Sequence, residues 1–311
     1  MTLKRRILGC FRSKHVSKGS ARGFRFVRRM CLLLRMTVKS DSSPEAGVLY
    51  VVATPIGHLA DISQRAVDVL GAVETIAAED TRRTLTLLRA VALEGPNLVA
   101  LHEHNEQKAA DSLVRQLLDG GTVALVSDAG TPLLSDPGFH LVRRCFEAGV
   151  PVRPVPGPSA VVAAMSVCPL PLAGCRFEGF LPARAGTRRA ALTTLLESGQ
   201  PVVFFEAPHR LRDALLALDE LAPDRQVFVA REMTKKFETY LVGRPADLVQ
   251  KMDAAEQWRG EVVCILEGAA DQAASAAEQQ RVMRILSGEL PPAQAARIGA
   301  QILGVKKKVL Y

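Results

Sequence analysis

The chain is 311 residues long, enough for about two ordinary domains around a sizeable core, and carries 40 Lys and Arg against 32 Asp and Glu, a formal +8. Twelve of the basic residues and none of the acidic ones lie in positions 1–40, so the remainder holds 28 basic and 32 acidic residues and is net −4. That excludes a body coated uniformly in positive charge for nucleic acid. No run of about 18 uninterrupted apolar residues is present, which argues against a membrane-spanning helix.

In chain order, residues 1–46 mix basic residues with short apolar patches, as in a disordered or non-native leader. Three readings stay open: a transit peptide for organelle import, a start placed early with Met30 or Met36 as later starts, or a basic RNA-binding arm. Ser40 to Pro44 reads as a linker. Val48 to Ala53 is a continuous apolar run, the mark of a buried parallel strand. Thr54-Pro55-Ile56-Gly57 turns the chain, and Asp61 is expected to cap a helix carrying Ile62, Ala66, Val69 and Leu70 on one face. Strands are expected at Thr75 to Ala78, Leu98 to His102, Val123 to Ser127 and Val150 to Val155, with helices at Asp111 to Leu118 and Leu141 to Ala148. Strands alternating with helices at this spacing predict an open, mostly parallel α/β sheet. A second α/β unit follows, with strands at Val202 to Glu206, Gln226 to Ala230 and Glu261 to Glu267. Its helices fall near Thr187 to Glu197 and Leu211 to Leu221. The expected division is 47–158 and 159–270 for two α/β domains, hinged at Pro156-Gly157-Pro158, and 271–311 for a helical tail broken by Pro291-Pro292.

In such sheets ligands bind beyond the carboxyl ends of the strands, and the polar motifs of this chain sit there. Ser127 to Pro132 lets backbone approach a ligand at Ala129 and Gly130, and Asp128 can accept hydrogen bonds or simply close an Asx turn. His102-Glu103-His104 has the spacing of two ligands on one strand face, but a polar strand end explains it better than a metal site. Gly157-Pro158-Ser159-Ala160-Val161 lacks the second glycine of a nucleophile elbow, so Ser159 is expected to cap the next helix. Glu206, His209 and Arg210, followed by Arg231, Lys235 and Lys236, can bind phosphate and orient a hydroxyl, or form a salt-bridged surface loop. The six cysteines (Cys10, Cys31, Cys145, Cys168, Cys175, Cys264) include no CxxC, so they read as reduced thiols of a cytoplasmic protein. No GxGxxG or P-loop signature is present.

Taken together, Leu49 to Gly57, Ala77 to Arg82, His102 to Glu106, Ser127 to Pro137, Glu206 to Arg210 and Arg231 to Glu238 resemble the tetrapyrrole methylase superfamily. The resemblance covers Gly47 to about Gly268 and is nearest the branch that methylates small-subunit ribosomal RNA. Gly304 to Tyr311 also looks like that branch's end, and His58 departs from it, standing where Asn is common. The resemblance implies a class III S-adenosylmethionine-dependent methyltransferase of two α/β domains, with the cofactor cleft between them and a small C-terminal helical segment. It further implies a homodimer acting on a cytidine 2′-hydroxyl in the decoding region of 16S rRNA, in small-subunit rRNA or the assembled small ribosomal subunit. The implied cofactor contacts are Asp128, Ala129, Gly130, Thr131, Pro132, Ser159, Ala160, Phe205, Ala230 and Glu261. Because a 2′-hydroxyl needs its proton taken up as the bond forms, Glu206 or His209 is the expected acceptor, and Lys235 or Arg231 the phosphate or ribose contact. Glu79, Asp80, Arg82, His102, His104 and Asn105 are the expected further substrate contacts. This chemistry requires no metal. The rivals are a tetrapyrrole or other small-molecule methyltransferase of the same fold, a non-catalytic ribosome-assembly factor, and a metal-dependent hydrolase built on His102 and His104.

Overall fold

The computed structural model describes residues 44–102, 104–269, 276–303, 305 and 310. The readings of the leader, of Glu103 and of most of Gly304 to Tyr311 lie outside these residues.

Two five-stranded sheets organise the described chain. The first is built from β1 (Leu49–Val52), β2 (Thr75–Ala78), β3 (Asn97–Ala100), β4 (Val123–Val126) and β5 (Val152–Val155) in the order β3-β2-β4-β1-β5, every pair parallel. Both its faces are covered, which is why its central strands read as unbroken apolar runs. Along β1, Val48, Tyr50 and Val52 meet Ala66, Val69 and Leu70 of α1 (Gln64–Ala72). The alternate residue Leu49 meets Leu113 and Leu117 of α3 (Glu106–Leu118) and Leu141 of α4 (Phe139–Glu147). Each buried Leu contributes about 1.5–3 kcal/mol relative to exposure.

Helix starts show where side chains outbid propensity. Ser63, not Asp61, caps α1: its Oγ accepts the Ala66 N–H at 3.1 Å. Asp61 instead ends a single 3-10 turn, Leu59–Asp61, in which His58 Nδ1 accepts the Ala60 N–H at 3.2 Å. An Asn side-chain oxygen can accept the same bond, so the loop tolerates His58. Helix α2 (Thr81–Ala90), capped by Asp80, was not expected, because its Thr/Arg-rich face is mostly solvated. Helix α4 starts at Gly138, which has no side chain to cap it, and the buried Glu106 of α3 substitutes. Glu106 Oε1 accepts the Gly138 and His140 N–H groups at 2.9 and 2.7 Å, a carboxylate on a helix N-terminus.

The second sheet is not a copy of the first. Strands β6 (Arg176–Phe180), β7 (Val202–Glu206), β8 (Val227–Arg231), β9 (Thr239–Gly243) and β10 (Val262–Leu266) run in the order β6-β7-β10-β8-β9, and only β6–β7 is parallel. Edge strands β6 and β9 and helix α8 (Pro245–Ala254) escaped the sequence reading; β9's half-exposed alternation carries no continuous apolar signal. One face of this sheet packs on α6 (Ala185–Glu197), α7 (Pro208–Leu221) and α8. The other packs on α5 (Ala160–Val167), Ile56 and Met233. Helices α9 (Ala276–Glu289) and α10 (Pro292–Leu303) follow, with Gly299 set close against Met283. Among the described residues no helix is long and apolar enough to cross a membrane.

Candidate active site

Segments following β1, β2, β4 and β5 at the first sheet's carboxyl ends meet the second sheet, and a cavity of about 450 Å³ opens between them. The loop after β1 is tied to the loop after β4 by a backbone bridge: Thr54 and Gly130 exchange N–H to O bonds of 2.8 and 3.0 Å. Thr54 Oγ1 adds a bond to Ser127 O at 3.2 Å, and Thr131 Oγ1 one to Pro158 O at 3.0 Å. Gly130 has φ +87°, and a Cβ there would sit 3.3 Å from Ile56 Cγ2. The same loop carries Leu133 and Ser135 at φ +72° and +71°, left-handed conformations that cost about 1–2 kcal/mol each for ordinary residues. The chain therefore holds this loop in a strained path beside the cavity.

The first sheet supplies a polar wall. Glu79, Asp128 and Asp136 line it together with Arg83. Asp128 Oδ1 accepts the Asp80 N–H at 3.0 Å, its Oδ2 lies 3.3 Å from Arg83, and its own N–H donates to Glu79 Oε2 at 3.4 Å. Burial, then the Asp128 charge, holds the Glu79 carboxyl above its ordinary value. Burial, then the charge of Glu79, pushes Asp136 up to about 6, against the opposing hydrogen bond of Ser127.

The second sheet supplies an apolar wall from Phe205, Met233, Val262 and Val263, with Phe180 half-exposed at 53%. Phe205 meets Phe177 and Phe180 with ring centroids 5.2 and 5.3 Å apart. One buried carboxylate, Glu206, interrupts it. Glu206 Oε1 takes three donors, the Ala207 N–H and Arg210 Nε at 2.8 Å and Arg210 NH2 at 2.7 Å, while buried Oε2 has none. Ser159 is at the N-cap of α5, yet its side chain makes no capping bond, contrary to expectation, and its Oγ is also buried without a partner. Two unsatisfied polar atoms thus belong to residues lining one cavity, and leaving each unpaired costs about 1–3 kcal/mol.

Of the expected cofactor contacts, Asp128, Ala129, Gly130, Thr131, Ser159, Ala160, Phe205 and Glu261 line the cavity; Pro132 and Ala230 are buried and do not. Glu206 and Glu79 line it too. His209 is exposed in the first turn of α7, off the wall. Asp80 caps α2 and pairs with Arg82 at 2.7 Å, so the 89%-exposed guanidinium holds that carboxyl well below the usual range. Arg231 and Lys235 are consumed internally, Arg231 on the carbonyls of Arg259 and Phe237, Lys235 on Glu232 and Glu261. The strand stops at Ala100, so His102 and His104 do not share a strand face; they sit in a turn, rings 6.1 Å apart, where Asn105 Oδ1 accepts the His102 N–H. Among the described residues no group of three His, Cys, Asp or Glu is placed to hold a metal ion. Sequence reasoning missed Arg83, Asp136, Phe180 and Met233. Ser135-Asp136 repeats the Ser127-Asp128 dipeptide within the same loop, a signal that pointed to Asp136.

Comparison with known proteins agrees with this geometry. Residues 48–249 match the family model for tetrapyrrole (corrin/porphyrin) methylases, and residues 273–311 match that of the RsmI C-terminal HTH domain. Ribosomal RNA small subunit methyltransferase I of Xylella fastidiosa (strain Temecula1) is 48% identical over 268 residues, covering 85% of this chain and 98% of that protein. The protein of the same name from Escherichia coli O157:H7 is 47% identical, covering 85% and 93%. Among solved structures, the methyltransferase CobJ superposes with TM-score 0.55 at 19% identity over 72% of this chain and 95% of that one. The cobalt precorrin-4 methyltransferase CbiF gives 0.53 at 15%, over 71% and 95%. Both likenesses are of fold.

Proposed function

The chain belongs to the tetrapyrrole methylase family, and we propose that it transfers a methyl group from S-adenosylmethionine to a cytidine 2′-hydroxyl in the decoding region of small-subunit rRNA. Relatives of 44–49% identity over most of both chains bear the name of an rRNA small subunit methyltransferase, and the RNA substrate follows from that. The observation that carries the reading is a cavity at the strand ends that fits the cofactor. It joins an apolar wall, a glycine where backbone can come close, two buried unpaired polar atoms, and carboxylates suited to a cationic ligand.

Bound S-adenosylmethionine supplies an electrophilic methyl group on a sulfonium sulfur, and displacement then needs mainly alignment. Ala129, Gly130, Ser159, Ala160 and Phe205 would hold it, with Ser159 Oγ and Glu206 Oε2 gaining the partners they lack. Of the two proton acceptors expected from sequence, His209 is off the wall, while Glu206 keeps its place as an acceptor fixed by Arg210. Asp136 joins it as a candidate: it lines the cavity, and a carboxyl near pH 6 is matched to taking a proton at neutral pH. In this reading the protein works in the cytoplasm as a homodimer on assembled small subunits.

The test is tritiated methyl transfer to small subunits lacking the modification, followed by alkaline hydrolysis. A 2′-O-methyl leaves an uncleaved dinucleotide. Label recovered in mononucleotides would place the methyl on a base and overturn the assignment.

A further inference from the structure

Arg231 and Lys235 were the expected RNA cations, and both are occupied in building the loop between β8 and β9. Lys235 bonds Glu232 and Glu261 at 3.0 and 2.9 Å. Arg231 Nε and NH1 donate to Arg259 O and Phe237 O at 2.5 and 3.2 Å, so one guanidinium clamps the backbones of both residues together. The loop is further fixed by Thr234, whose N–H donates to Glu238 and whose Oγ1 accepts the His58 N–H at 3.1 Å. Glu232 and Thr234 are held at φ +52° and +64°. What this scaffold presents to solvent is Phe237, 64% exposed, with Lys236 Nζ 5.5 Å from its ring centroid. Lys236 and Arg259 are both exposed and, among the described residues, make no ion pair. An exposed aromatic on a braced loop, with the Lys236 cation on its ring and the backbone of Arg259 tied to its own through Arg231, has the composition of a nucleic-acid stacking platform. Met233 of the same loop lines the cavity. Phe237 is four residues on, so the two Cα atoms are at most about 14 Å apart, the reach of a few nucleotides.

We propose that Phe237, flanked by Lys236 and Arg259, is an RNA-docking platform, on which a base near the target nucleotide stacks while the two cations hold adjoining phosphates. The proposal rests on the rRNA-methyltransferase reading and adds to it a surface outside the cavity. A net-acidic body needs such a local basic patch, since phosphate contacts supply most of the affinity for RNA.

The experiment compares Phe237→Ala, Phe237→Leu, Phe237→Trp and the double variant Lys236→Ala/Arg259→Ala of the full chain. It measures methyl transfer to unmodified small subunits, direct subunit binding, S-adenosylmethionine affinity and sedimentation mass. The expected result is a KM for subunits raised about 5- to 150-fold by Ala and by Leu, the range of losing one stacked base. Trp retains activity, and cofactor affinity and mass stay unchanged. The double variant lowers the log–log salt slope of binding by about 1.5. An unchanged KM in Phe237→Ala overturns the platform, as does full rescue by Leu, which would mean an apolar protein contact. A changed mass would assign the patch to self-association, and weakened cofactor binding would assign it to the cavity; either overturns it. If the wild type methylates subunits and only the Phe237 result fails, the platform alone falls. If the wild type neither binds nor methylates them, the functional reading falls too.

Discussion

The two walls of the cavity solve opposite problems. The wall from the parallel sheet crowds Glu79, Asp128 and Asp136 together, with one exposed arginine to offset them, and keeps two of the carboxyls reluctant to ionise. The wall from the antiparallel sheet is apolar, and its buried carboxylate, Glu206, is locked to Arg210 through one oxygen. The first wall is tuned by charge and responds to pH. The second is shaped by packing and responds to deletion. A cationic donor moving one methyl group needs both: negative potential to hold the sulfonium, and a rigid surface to align it.

The most damaging substitution should fall on the second wall. Removing one partner of a buried ion pair strands the other charge, at about 3–5 kcal/mol. Arg210→Met is therefore expected to lower the unfolding free energy by about 3 kcal/mol, read from urea melts. Glu206→Gln strands only the Arg210 guanidinium, which at 20% exposure keeps some contact with solvent whereas the Glu206 carboxylate has none, and should cost less. Equal losses would mean the pair is not what keeps that wall rigid. Next comes the seam between the walls. Gly130→Ala adds a Cβ at φ +87°, 3.3 Å from Ile56, and should cost about 1–2 kcal/mol of strain. It should also weaken S-adenosylmethionine binding measured by calorimetry. Unchanged affinity would show that backbone does not approach the ligand at Gly130.

The first wall was more legible in the sequence than the second, for a physical reason. Parallel strands covered on both faces must be apolar throughout, so β1, β2 and β4 announce themselves and their polar ends mark the site. Thus Asp128 to Thr131 could be singled out from the chain alone. Edge strands β6 and β9 carry mixed patterns, so Phe180, at the end of β6, went unseen. Charge pairing was illegible as well: the cluster Arg231 to Lys236 reads as free cation, but long-range partners such as Glu261 and the Arg259 carbonyl neutralise or engage two of its members. Glu206 shows the same limit, since its identity was visible but its saturated and unsatisfied oxygens were not.

The pH response should be confined to the first wall. Asp136 binds its proton more tightly folded, at about 6, than in an unfolded chain at about 3.9. Between those values the native state holds more protons, so this group's contribution to stability is complete below about pH 4 and falls as pH rises to about 6. Asp136→Asn should abolish that dependence, gaining stability relative to wild type as pH climbs through the window. If Asp136 also accepts the 2′-hydroxyl proton, kcat should rise through about pH 6 in the wild type and lose that limb in the variant. A variant with the wild-type limb would return the role to another group.

The smallest effect is the most diagnostic of how the wall works. Arg83 is 66% exposed and sits 3.3 Å from Asp128 Oδ2, so Arg83→Ala should change stability by less than about 1 kcal/mol. Its charge nonetheless offsets the carboxylates: it lowers the pKa of Glu79. Without it the cavity is more negative. S-adenosylmethionine carries a sulfonium charge that its demethylated product, S-adenosylhomocysteine, has lost, and otherwise the two are closely alike. Arg83→Ala should therefore tighten the donor relative to the product, by up to about fivefold for roughly 1 kcal/mol of screened interaction. Raised ionic strength should shrink that ratio, because the pair lies in solvent's reach. If donor and product affinities shift together, Arg83 touches a part common to both ligands, and the first wall acts by contact rather than by charge.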